Sequence, residues 1–145
     1  MRRVFALCLA LAAAAGNTGS LNAAASHPVR LNFTKSLVST LPVMTWKGST
    51  TGDVTGDLET RLLSLRVSGP IWHVEFDWII SGAGATSFTA RLNGTLNTKT
   101  GKVVMNGTVI DGYLEGAQVH EEGRLTDATA SKFEGTIRIA PQSAD

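Results

Sequence analysis

Apolar and polar residues alternate with a period of two along most of residues 43–140. The clearest case is Ile71 to Ile80. Trp72, Val74, Phe76, Trp78 and Ile80 fall on one face, and Ile71, His73, Glu75, Asp77 and Ile79 on the other. Successive side chains of an extended strand point to opposite sides, so this segment predicts a strand with one buried face. The same rhythm runs through TSFTARLNGTL, KVVMNGTVI, YLEGAQVHE and KFEGTIRI, between Thr86 and Ile139. Asn97 to Gly101 and Asp111-Gly112 read as hairpin turns, and LTDATAS as a polar loop. Upstream, LNFT, LVST and VMTWKG are short strand candidates, with Pro42 as an interruption. STTGDVTGD reads as a turn or bulged edge. Asp57 to Val67 fits a strand, or a helix capped by Asp57. Its place among strands, and the Gly69-Pro70 turn after it, favour the strand.

Gly94, Gly107 and Gly135 lie on the apolar faces of their strands. A flat sheet gains nothing from a missing side chain there. A tightly coiled sheet does, because glycine lets a strand bend where the sheet closes on itself. The fold class is therefore all-β. A small antiparallel meander barrel of about eight strands is predicted, with a two-sheet β-sandwich as the alternative.

NGTLNTKTGKVVMNGTVIDGYLEG and KFEGTIRI, in an all-β chain with a signal sequence, resemble the meanders of small calycin-type barrels. The similarity is to the barrel shared by allene oxide cyclases and dirigent proteins in particular. It covers residues 43–140 and rests on strand rhythm. No motif matches residue by residue, so no catalytic residue carries over. The resemblance implies a cofactor-free cyclase or isomerase as one function.

The length of 145 residues predicts one domain. Met1-Arg2-Arg3, the apolar run Val4 to Ala15 and Ala23-Ala24-Ala25 together read as a signal peptide over residues 1–25. Cleavage before Ser26 leaves a domain of residues 26–145, secreted or periplasmic. The apolar run is too short to span a bilayer as a helix, and no later one is longer. Cys8 lies within the leader, so the mature domain has no cysteine and neither disulfide nor thiol chemistry. Arg2 and Arg3 carry two of the thirteen basic residues, leaving eleven against twelve acids, a formal net charge of −1. There is no Lys/Arg block, which argues against a nucleic-acid partner.

Two groups of residues carry candidate chemistry. His73, Glu75 and Asp77 share one strand face, with neighbours about 7 Å apart. Facing a closed lumen, they would suit acid–base catalysis or a divalent metal. Facing outwards, they are a solvated surface, which the apolar opposite face favours. His120-Glu121-Glu122 begins like a zinc-protease helix, but Arg124 stands where the second histidine belongs. His120 would join His73 in a metal site if their strands were neighbours. No metal and no cofactor is predicted.

The aromatic residues form the second group. Trp46, Trp72, Phe76, Trp78, Phe88 and Phe133 would line an apolar cavity, with Tyr113 adding a polar contact. A solidly filled core is the alternative, because small barrels are narrow. The leading expectation is a protein that binds a small apolar ligand in its lumen. The others are a cyclase or isomerase using Glu75 or Asp77, and a surface interaction or inhibitor module with a filled core.

Overall fold

The computed structural model describes residues 27–141. The expected signal peptide and its cleavage site lie outside them. Eight strands follow one another: β1 (Val29–Ser39), β2 (Thr45–Gly52), β3 (Gly56–Ser68), β4 (Ile71–Gly82), β5 (Phe88–Asn97), β6 (Lys102–Gly112), β7 (Gln118–Asp127) and β8 (Lys132–Ala140). Each pairs antiparallel with the next, and β8 returns to pair with β1, Val29 opposite Ile139. The result is a closed meander barrel, not a two-sheet sandwich. Closure satisfies both edges of the sheet.

Several local expectations change. LNFT and LVS, up to Ser39, belong to one strand, β1, because Pro42 falls after its end. STTG extends β2 as far as Gly52, leaving a short turn before β3. Residues 57–67 are strand throughout, with a bulge between Leu62 and Ser64. Asp111-Gly112 does not make a two-residue hairpin. The chain turns through residues 113–117, with Gly116 N–H donating to the Val109 carbonyl at 2.8 Å. Tyr113 and Leu114 then pack on the core instead of continuing a strand.

Coiling explains the inward glycines. A Cβ at Gly107 would land on the Arg91 carbonyl and the Leu92 backbone of β5. One at Gly135 would land on the Glu122 carbonyl of β7. Any side chain at either position would push the neighbouring strand away.

The strands give the barrel two unlike ends. At the end holding the β2–β3, β4–β5 and β6–β7 turns, Leu31, Leu58, Ile80, Phe88 and Ile139 are almost fully buried. Val54 and Ala117, from two of those turns, are buried with them. Thr50 Oγ1 fixes the β2–β3 turn by donating to the Val54 carbonyl at 3.0 Å. The other end, at the β1–β2, β3–β4, β5–β6 and β7–β8 turns, is hollow.

An aromatic cavity with a buried lysine and glutamate

Alternation along β1 sends Leu31, Phe33, Lys35 and Leu37 to one side. Leu31 and Phe33 are core residues, so Lys35 points inwards too and is 5% exposed. Along β7 the same rule turns Val119 and Glu121 inwards, and Glu121 is 1% exposed. The sequence thus places one amine and one carboxyl inside a barrel whose other walls are mainly apolar.

Both groups line a cavity of about 220 Å³ at the hollow end, walled chiefly by Trp46, Trp72, Val74, Phe76, Met105 and Phe133. Lys35 Nζ sits within an aromatic cage. It is 4.1 Å from the ring centre of Trp78, 4.9 Å from Phe76 and 5.7 Å from Trp46. Phe133 and Phe33 follow at 5.8 and 5.9 Å. Such rings attract a desolvated cation through their faces. Among the described residues, Nζ makes one hydrogen bond, to Thr60 Oγ1 at 3.2 Å, and no ion pair. An ammonium has three donors, so two remain unused. Glu121 Oε2 and the Trp78 indole N–H are likewise buried with no partner among the described residues.

Burial disfavours both charges. Desolvation lowers the Lys35 ammonium from 10.5 to about 8, with Glu121 pulling it back up. Desolvation raises the Glu121 carboxyl from 4.5 to about 8, opposed by Lys35 and assisted by Glu122. At neutral pH Glu121 is mainly protonated and Lys35 mainly cationic, with a minor neutral fraction far larger than that of an exposed lysine.

The rim holds the cage in place. Trp46 Nε1 donates to the Ser131 carbonyl at 3.1 Å, tying β2 to the β7–β8 turn. Beyond Arg61, β3 outruns β2, so Leu65 and Val67 stand above the barrel wall. They share a face with Val74 and Trp72, their partners on β4. With no β2 strand beside them they are 42% and 57% exposed, an apolar lip at the mouth.

The sequence candidates divide accordingly. Trp46, Trp72, Phe76 and Phe133 line the cavity. Trp78 lies behind it, fully buried against Lys35 and edge-on to Phe33 at 5.0 Å. Phe88 and Tyr113 are not cavity residues. Phe88 begins β5 and Tyr113 follows β6, both at the packed end. Period-two alternation identifies a face, not a height along the barrel.

His73, Glu75 and Asp77 point outwards, so the condition for a catalytic role in the lumen is not met. Asp77 accepts two hydrogen bonds from Arg91, at 2.8 and 3.1 Å, on the outer wall. His73 on β4 and His120 on β7 are separated by β5 and β6, so they cannot share a metal. His120 instead contacts Asn106 Oδ1 at 2.7 Å. Lys35 and Glu121 are the inward ionisable residues, among those described, that the sequence reading missed. The signal was present: each occupies an apolar-face position in a period-two strand. Comparison with protein-family models, curated proteins and solved structures finds no match to this chain.

Proposed function

We propose that the chain is exported, secreted or periplasmic, and binds a small, mainly apolar molecule in the hollow half of its barrel. The carrying observation is an aromatic cavity whose innermost polar groups, Lys35 and Glu121, lack a full set of partners. The ligand's body would lie among Trp46, Trp72 and Phe76, with one polar end at Lys35 and Glu121. The volume of about 220 Å³ falls below the roughly 300–1,000 Å³ of pockets for drug-sized molecules, so the ligand is small. Native mass spectrometry of protein from its own source, beside a denatured control, tests this. The expected result is an excess mass lost on denaturation, and a saturable change in tryptophan emission when the extracted compound is returned. Val74→Phe, which fills the cavity, should abolish that change. A bare polypeptide mass, with no emission change for any small apolar compound, would favour a barrel acting through its outer wall.

The shared burial of Lys35 and Glu121 supports a second reading, a cyclase or isomerase as the barrel resemblance implies. Its acid–base groups would then be Lys35 and Glu121 instead of Glu75 or Asp77. Loss of turnover in Glu121→Gln, with binding retained, would favour this reading.

A further inference from the structure

We infer that Lys35 captures a small aldehyde or ketone inside the barrel as an imine, which makes the ligand a carbonyl compound. This rests on the lumen-binding reading and names the chemistry of the ligand's polar end.

Four observations lead there. Lys35 carries the one lysine amine directed into the barrel; Lys47, Lys99, Lys102 and Lys132 lie on the outer wall or its turns. Its Nζ borders the cavity, so a carbonyl carbon entering through the mouth can reach it. Among the described residues no carboxylate holds Nζ in an ion pair, and its hydrogen bond to Thr60 needs one N–H, so the nitrogen lone pair can be freed towards the cavity. Glu121 borders the same cavity with an unpartnered oxygen, where it can exchange protons with the adduct.

The step balances within these groups. Neutral Lys35 attacks the carbonyl carbon, and the C=O π bond breaks. The oxygen takes a proton from the Glu121 carboxylic acid, and the nitrogen returns one to it. Glu121 then protonates the carbinolamine hydroxyl, which leaves as water while the C=N bond forms. The net change is amine plus carboxylic acid plus carbonyl giving iminium, carboxylate and water. The iminium keeps its charge over the rings that now face the ammonium, and Glu121 becomes its counter-ion. The apolar walls limit the water that would reverse the reaction. Burial that lowers the Lys35 ammonium supplies the neutral amine at pH 7.

The folded protein, treated at pH 7 with pentanal and cyanoborohydride and digested, tests the inference by mass spectrometry. The outer lysines are internal controls. Lys35 should be alkylated roughly ten- to a hundredfold faster than any of them, because far more of it is unprotonated. Glu121→Gln should slow Lys35 and leave the outer lysines unchanged. Lys35→Arg, which keeps the charge but forms no imine, should leave no fast-reacting lysine, the α-amino group being labelled equally in both proteins. Preferential labelling of the outer lysines, with Lys35 unmodified, would overturn the inference. If saturable tryptophan changes persist in that unlabelled protein, imine capture fails and the binding reading stands. If they are absent too, both fail.

Discussion

The two ends of the barrel use the same alternating strands and differ in what fills their inward positions. At one end Leu31, Leu58, Ile80, Phe88 and Ile139 pack under two buried turn residues, Val54 and Ala117. At the other, the half-buried Met44, Leu62, Trp72, Leu96 and Leu125 surround a space. Lys35 and Glu121 lie at the boundary. An eight-stranded barrel is wide enough either to be filled by side chains or to hold one small molecule. This chain does each in a different half. The packed end supplies stability, which lets the hollow end keep apolar surface uncovered and two ionisable groups desolvated.

Truncation on either side of the boundary is the most forceful way to break this contrast. Ile80→Ala should cost about 2–5 kcal/mol, since it empties a site with no slack around it. Trp72→Ala removes a larger side chain from the cavity wall, yet should cost roughly half as much, because that side chain is incompletely packed. Urea midpoints measure both. Ligand-dependent tryptophan emission should survive in Ile80→Ala, provided it folds, and vanish in Trp72→Ala. Equal losses of stability would mean that the hollow end is as tightly packed as the other.

A second contrast lies in pH. Glu121 holds its proton more tightly in the folded chain. The stability this contributes is complete below pH 4.5 and is lost as pH rises towards 8. Lys35 holds its proton less tightly when folded, so the unfolded chain binds more protons between pH 8 and 10.5. Stability therefore climbs over that interval. Together the pair should produce a minimum near pH 8, on the order of a few kcal/mol deep. Glu121→Gln should flatten the acid limb. Lys35→Met should flatten the alkaline limb and stabilise the protein below pH 8, because it removes a charge whose burial costs stability there. That gain should come with loss of the polar anchor for a ligand. A wild-type curve with no minimum, unchanged in both variants, would place these groups in contact with water.

The same alternation that predicts the barrel also limits what can be foreseen of its site. Trp72, Val74, Phe76, Trp78 and Ile80 could be assigned to the interior because their pattern has no exception. Lys35 and Glu121 were legible by the identical rule, once position in the strand is allowed to outrank residue type. A lysine between Phe33 and Leu37 on the apolar face is a conflict between pattern and chemistry, and such conflicts tend to mark functional positions. Phe88 and Tyr113 could not be separated from Trp72 in that way. Their distance from the cavity depends on strand stagger and on the turn over residues 113–117, which the repeat does not encode. The inward glycines were legible as bends, since β-carbons at Gly107 and Gly135 would strike the neighbouring strand's carbonyls.

The smallest expected effect sharpens the contrast between inside and outside. Asp77→Asn removes the charge from the bidentate contact with Arg91, whose guanidinium is held more firmly protonated by that hydrogen bond and charge. The Arg91 and Asp77 side chains are 48% and 20% exposed, so water and salt screen them. The denaturation midpoint should move little, and less still in high salt. Ligand-dependent emission and Lys35 alkylation should be unchanged, because the substitution sits behind the wall that carries Phe76 and Trp78 into the interior. Loss of either signal in folded Asp77→Asn would show that the outer face of β4 takes part in the site, and the division between a working lumen and a solvated wall would fail there.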